Sequence, residues 1–226
     1  LSFGTRWNLR DITRHKSRTA MSLLGTVGCI MIIVCALGMR DTMNAFLDLY
    51  YDGAINYSSR IYLSEDATSV QRDEVAAKYC GDWSSSVSVK LNEKTASLDI
   101  YNINHDKILF PDKNNNYIAI SNSGAYICLR IANEFGLEVG DTFTVSPYGL
   151  DTDYKLRVAG IIRSVSENIV ISPIYAEELG INYTIDSIYT DTLKAEIQSS
   201  SAIKNVQSKQ TIMDSFDSFM VIMDIM

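Results

Sequence analysis

The stretch Ala20–Met39 carries no charged side chain, and nothing else in the chain constrains the fold as strongly. A helix rises about 1.5 Å per residue, so these 20 residues make a rod roughly 30 Å long, the thickness of a bilayer's hydrocarbon core. Ser22 and Thr26 are small hydroxyls that a helix can bond to its own carbonyls. Gly25, Gly28 and Gly38 are tolerated in membrane helices, although Gly25 and Gly28 do not make the four-residue spacing of a close dimer contact. The core helix of a soluble protein would show a polar face, and this segment shows none. A signal peptide has an apolar region of about 7–15 residues and a small-x-small cleavage site. This run is longer and passes straight into Arg40, Asp41 and Thr42. The sequence therefore predicts a retained transmembrane helix over 20–39.

The flanks set its orientation. Arg6, Arg10, Arg14, Lys16 and Arg18 precede it, opposed only by Asp11, whereas Arg40 is followed by Asp41, Asp48 and Asp52. The basic side stays cytoplasmic, so the bulk of the chain is expected outside. The whole chain carries a net charge of −7 despite that basic start, so the exterior part is distinctly acidic. An acidic domain lacks the basic footprint that nucleic acid requires. Cys29 and Cys35 fall in the apolar run, and Cys80 and Cys128 lie outside it. Two exterior cysteines can pair, but their positions in sequence do not decide whether they do.

Residues 1–19 have helical amphipathicity, with Arg6, Arg10 and Arg14 on one stripe and Phe3, Trp7 and Ile12 able to dip into a membrane interface; an ordinary solvated basic arm explains them equally. From Arg40 the helix is expected to continue as a stalk over 40–53, with Met43, Phe46, Leu47 and Tyr50 on an apolar face. The domain over 54–208 mixes strands and helices. Ile55–Leu63 is strand-like. Thr68 or Ser69 starts a helix that Gly81 ends. Strands on either side of Asn92, Glu93 and Lys94 form a hairpin. Tyr117–Ile120 is a strand, and Ser121 or Ser123 caps a helix that includes Ile127, Leu129, Ile131, Ala132 and Phe135. Gly136 ends that helix, Leu137 packs back, Gly140 and Asp141 turn, and Thr142–Val145 is a strand. Tyr154–Val165 and Asn168–Ser172 are strands, and Pro173–Leu179 is a helix opened by proline. Ser187–Thr190 and Ile203–Gln207 are strands around a short helix from Leu193. The fold class is α+β: one N-terminal transmembrane helix, helical stalks and a mixed α+β extracytoplasmic domain. Residues 209–226 return to helical spacing, with Ile212, Phe216, Phe219, Met220 and Met223 on a stripe, and read as a returning stalk and the start of a truncated second span. The chain opens on Leu1 rather than Met, so it reads as a fragment.

Three passages carry a family resemblance. "RWNLRDITRHKSRTAMSLLGTVGCIMI" resembles the entry into a first span, "IANEFGLEVGDTFTV" a helix, Gly, Gly-Asp, strand passage, and "KNVQSKQTIMDSFDSFMVIM" a return to the membrane. Together they resemble the FtsX-like permease family, which includes the MacB-type ABC transporter subunits. The resemblance implies a permease fragment whose exterior domain is moved by ATP hydrolysis in a separate cytoplasmic ATPase subunit, serving export, efflux or mechanotransmission. It further implies a second permease half or dimer partner. The family's ATPase contact lies beyond this chain, so no ATPase-binding residue is transferred. A membrane-anchored extracellular sensor of a signalling receptor uses the same span, domain, span order and is the alternative. A secreted binding or hydrolytic domain on a signal anchor is the third.

The residues show no chemistry of their own. The phosphate-binding pattern G-x-x-x-x-G-K-[ST] is missing. His15 sits in the basic arm, and His105 with Asp106 gives too few ligands for a metal. Ser123 lacks the Gly-x-Ser-x-Gly elbow of a nucleophile. Asp66, Asp73 and Glu74 suit a helix start. Asn56 and Asn182 match the glycosylation triplet, which arises often by chance. No catalytic, cofactor-binding or metal-ligating residue is named, and no cofactor is expected.

Overall fold

The computed structural model describes the backbone of residues 14–149 and 152–225, with side chains through Val221. The readings of Phe3, Arg6, Trp7, Arg10, Ile12 and Met223 fall outside the described residues or side chains. The chain divides into two compact units, one made of the residues up to Phe46 with those from Phe219, the other Leu47–Ser218.

In the first unit, Lys16–Phe46 is one α-helix, α1, and none of its side chains is buried. Met21, Leu24 and Ile32 are 70, 68 and 72 % exposed, which a water-soluble core helix would not tolerate. Together with the segment that follows, it is the one helix among the described residues long and apolar enough to cross a membrane. Thr26 Oγ1 donates to the Ser22 carbonyl at 3.0 Å, and Thr42 Oγ1 to that of Gly38 at 2.7 Å, so the helix hides its own hydroxyls.

The second unit begins with a π-helical segment, Leu47–Ala54. Eleven strands follow: β1 Ser59–Leu63, β2 Asp82–Leu91, β3 Lys94–Asn102, β4 Phe110–Pro111, β5 Tyr117–Ile118, β6 Ala125–Cys128, β7 Thr142–Pro147, β8 Tyr154–Ile162, β9 Asn168–Ile171, β10 Ser187–Thr190 and β11 Ile203–Ser208. The helices between them are α2 Ser69–Tyr79, α3 Leu129–Phe135 and α4 Pro173–Glu178, with a 3-10 turn at Lys194–Glu196; α5, Lys209–Ile225, leaves the unit. Nine strands form one mixed sheet in the order β11-β1-β10-β2-β3-β9-β6-β8-β7. β3 runs parallel to β9 and β6 parallel to β8. A second pairing of β2 with β7, Val89 to Pro147 and Lys90 to Ser146, closes six of the strands into a ring. The inward residues of that ring, among them Val89, Leu98, Ile100, Ile127, Val145, Leu156 and Ile169, are fully buried and make the main core. A smaller core, Ile61, Leu63, Val75, Ile188 and Ala202, lies under α2 beside β1 and β10.

Local chemistry fixes the elements. Thr68 and Gln71 form a reciprocal capping box on α2: the Thr68 hydroxyl accepts from the Gln71 N–H, and the Gln71 side chain accepts from the Thr68 N–H. The Gln71 N–H contact measures 3.4 Å and the returning one 3.0 Å. The helix ends on Cys80 in the left-handed region at φ 43°, one residue before the Gly81 expected there. Gly81 serves another purpose: a Cβ on it would lie 2.3 Å from the Tyr189 carbonyl oxygen, so the close approach of β10 requires glycine. Asn92, at φ 56°, makes the tight turn between Leu91 and Lys94, which pair across β2 and β3. Gly136 ends α3 at φ 63°, and the Leu137 N–H returns to the Ala132 carbonyl at 2.9 Å.

One expected helix is a strand at its start. Ala125–Cys128 is β6, buried on every residue between β8 and β9. A strand covered on both faces shows no alternation, so its apolar run reads as part of the helix that follows. Neither Ser121 nor Ser123 caps α3; their hydroxyls bond each other at 3.0 Å, and the cap is Cys128, whose sulfur accepts from the Ile131 N–H. The strand expected over Tyr117–Ile120 stops at Ile118, because the loop is then tied down by the Tyr126 hydroxyl, which donates to Ala119 O and accepts from Ser121 N–H. β1 starts at Ser59 rather than Ile55. All four cysteines are free, Cys80 exposed and Cys128 buried.

Candidate functional site

The second unit begins at Leu47 and its last strand runs into α5, and a set of backbone and side-chain bonds gathers around these two ends. The α-helical face read from Met43, Phe46, Leu47 and Tyr50 does not continue as such, because Leu47–Ala54 is wound with i to i+5 bonding. Its last turn closes with the Ile55 N–H on the Tyr50 carbonyl at 2.8 Å. The Tyr117 hydroxyl fills the space where Gly53 has no side chain, and it donates to the Leu49 carbonyl at 3.0 Å. A Cβ on Gly53 would lie 1.6 Å from that hydroxyl.

The residues after this root are stitched to the loop that follows β3. The Leu109 N–H donates to Ala54 O at 2.8 Å, Ile55 forms an antiparallel bridge with Ile108, and the Asn56 N–H donates to Lys107 O at 2.9 Å. The Asn56 side-chain amide donates to Asp106 O at 3.2 Å, which occupies the group that the glycosylation triplet would offer.

That loop is itself held by a carboxylate the sequence did not single out. Asp82, 2 % exposed at the start of β2, accepts N–H bonds from Asn104 at 2.7 Å, His105 at 3.0 Å and Lys107 at 3.0 Å. The His105 Nδ1 faces the same carboxylate at 3.1 Å. His105 thus braces a loop. Three convergent backbone donors compensate a buried carboxylate that would otherwise be costly.

The returning helix meets the same root. The Lys209 N–H donates to Ser58 O at 2.9 Å and its Nζ to Ile55 O at 2.8 Å. Ser59 pairs with Ser208, so the strand that begins the domain and the strand that ends it are neighbours at the ends nearest the two helices. The Phe216 ring packs edge-on to Tyr51, with centroids 5.7 Å apart. Tyr51 lies outside the four residues assigned to the outgoing face by α-helical spacing.

These groups hold geometry and show no bond-making constellation. Among the described residues no cluster of three or more His, Cys, Asp or Glu side chains could hold a metal. The serine-rich face of β2 and β3 directs Ser86 and Ser97 hydroxyls at Asp99, each at 2.6 Å, so these serines spend their protons on a carboxylate.

No protein-family model matches the chain, and no curated protein matches it. Among solved structures the chain is similar to the periplasmic region of MacB from Actinobacillus actinomycetemcomitans, at 12 % identity over 78 % of this chain and 98 % of that one, with a TM-score of 0.43. It is also similar to the extracellular domain of the noncanonic ABC-type transporter YknZ from Gram-positive bacteria, at 14 % identity over 61 % of this chain and 84 % of that one, with a TM-score of 0.36.

Proposed function

We propose that this chain is part of the permease subunit of an ABC transporter of the FtsX-like, MacB-type family. In this reading residues 1–19 lie in the cytoplasm, 20–39 span the membrane, 40–53 and 209–226 are the outgoing and returning stalks, and 54–208 is the extracytoplasmic domain. A separate cytoplasmic ATPase, reached through parts outside this chain, drives the stalks, and a second permease half or copy completes the assembly. The chain itself carries no catalytic residue and couples hydrolysis to motion of the exterior domain.

One observation carries the reading: both helical roots enter the domain at a single rung, Ser59 with Ser208, and are clamped there by backbone bonds from Lys209, Leu109 and Asn56. A domain hung on one joint follows whatever its two helices do together. Two measurements test it. In a background without the native cysteines, a maleimide probe in intact cells should react at Asn114→Cys and not at Asn8→Cys; the reverse pattern removes the topology. In the complete transporter, a fluorophore at position 114 should change its signal on ATP addition. The double substitution Tyr51→Ala with Phe216→Ala should abolish that change while hydrolysis persists. A signal indifferent to ATP in the unsubstituted protein would instead favour the receptor-sensor reading.

A further inference from the structure

Beside the root, between Tyr50–Tyr57 and the polar face of the sheet, lies a cleft of about 420 Å³, a volume in the range of small-molecule sites. Its wall is built from one face of adjacent strands: Arg60 on β1 pairs with Tyr189 on β10, and Ser84 on β2 pairs with Tyr101 on β3. Arg60 is half-buried. Its guanidinium lies 4.4 Å from the ring centre of Tyr62 and 5.3 Å from that of Tyr189, an arrangement that holds the cation in place by its flat faces. Its Nε and Nη2 both donate to a single acceptor, the Ser187 hydroxyl, at 3.2 and 3.0 Å. A guanidinium has five N–H donors in a fork suited to an oxyanion, and most of this fork is unused.

Arg72 in the same unit shows how this chain satisfies an arginine it uses for structure. Arg72 is buried and donates to the carbonyls of Ser64, Glu65, Ala67 and Ile185. Arg60 has neither such a set of carbonyls nor a carboxylate within ion-pair distance among the described residues. One acid acts on it electrostatically, the half-buried Asp186, which does not line the cleft. A second guanidinium, Arg163, stands at the exposed rim, where among the described residues it bonds the Asn115 side-chain oxygen and pairs with no carboxylate. Asp99 is the one carboxylate on the wall, and Ser86, Ser97 and Asn168 already engage both its oxygens. The Tyr57 ring packs tilted at 45° against that of Tyr189, with centroids 5.0 Å apart, and its hydroxyl has no hydrogen-bond partner among the described residues. Burial, with Tyr189 beside it, pushes the Tyr57 phenol upward, so it remains a donor. The cleft therefore offers spare donors, two cations and aromatic walls against one occupied acid.

We infer that this cleft binds a small organic anion, a carboxylate or phosphate group on an aromatic or apolar body, with the anion on Arg60 and Arg163 and the body against the half-buried Tyr57 ring, which the buried Tyr189 backs. Tyr50 and Ile55 of the root also line the cleft, so an occupant touches root and sheet at once. A bound anion would stiffen the joint, and that consequence rests on the transporter reading; the binding does not.

The test uses the whole chain in detergent micelles and titration calorimetry with three probes: benzoate, phenyl phosphate and neutral benzyl alcohol. At least one of the two anions should bind saturably and benzyl alcohol should not; which anion binds assigns the charged group. Arg60→Gln should weaken binding by about tenfold or more. Arg163→Gln, at an exposed rim position, should weaken it by about threefold and flatten its salt dependence. Circular dichroism of Arg60→Gln separates lost binding from lost fold, and if that variant unfolds the Arg163 result decides. Saturable binding by neither anion, equal binding of benzyl alcohol, or unchanged affinity in a folded arginine variant would overturn the assignment. If binding holds while ATP addition leaves the exterior domain still, the transporter reading fails and the site stands.

Discussion

Removing the Asp82 carboxylate should loosen the helical root before it unfolds the domain. Asp82 is 2 % exposed and accepts backbone N–H bonds at 2.7, 3.0 and 3.0 Å from Asn104, His105 and Lys107. Hydrogen bonds to a charged acceptor contribute about 1.5–3 kcal/mol each. The three do not sum, because Asn104 and His105 are exposed and their freed donors regain water. Asp82→Ala should therefore cost about 3 kcal/mol, and Asp82→Asn, which keeps one acceptor oxygen, about half of that. The effect should also be local. The loop that Asp82 holds supplies Lys107 O to Asn56 and receives Ala54 O at Leu109. In hydrogen exchange, the Asn56 and Leu109 amides should lose more protection than the amides of β6, which lie in the main core. Denaturant midpoints of the whole chain in detergent give the global cost. A uniform loss across the domain, or an Asp82→Ala variant within about 0.5 kcal/mol of the parent, would refute the argument that this carboxylate organises the root.

Gly81→Ala sets a Cβ 2.3 Å from the Tyr189 carbonyl, so backbone must move, and a loss of about 2–4 kcal/mol is expected. Gly53→Ala meets only the far end of the Tyr117 side chain, its hydroxyl at 1.6 Å and a ring carbon at 2.5 Å, which can swing away and forfeit its bond to Leu49, so it should cost about 1 kcal/mol. Equal costs in thermal or denaturant unfolding would contradict the distinction. Burial raises the Asp186 carboxyl above its ordinary value of 3.8, against the opposing pull of the Ser86 N–H and Arg60. The native state therefore binds this proton more readily than the unfolded chain, and the associated stability is present in acid and lost as pH rises through the native value. The stability of the parent relative to Asp186→Asn should accordingly fall as pH rises from the ordinary carboxyl value of 3.8 through the higher native one, and a difference that grows with pH would reverse the sign.

Much of the domain is written locally. The Thr68 cap, the turn at Asn92, Gly136 with Leu137, and Pro173 at the start of α4 each depend on a few neighbouring residues, and each stands where the sequence places it. β6 was not legible, because Ala125–Cys128 is a strand only by virtue of β8 and β9 on either side, which lie far along the chain. The π-helical turns were hidden for a similar reason: Gly53 and the Tyr117 hydroxyl that lies against it are brought together by the fold. Asp82 and Arg60 have ordinary sequence surroundings. What distinguishes them is that one is surrounded by donors and the other finds a single hydroxyl acceptor, and both conditions are set by segments distant in sequence.

The rung that joins Ser59 to Ser208 also determines how the domain responds to force. β1 and β11 are antiparallel, and their helix-bearing ends lie at the same end of the pair. Drawing those two ends apart would load the ladder in peeling, with one rung carrying the tension at a time, the weakest way to pull a sheet. Moving them in unison loads no rung of the pair against its neighbour. The joint is therefore mechanically selective. Common displacement of the two strand ends leaves the pair unloaded, whereas divergence loads first the Lys209 bonds to Ser58 and Ile55 and then the rung of Ser59 and Ser208.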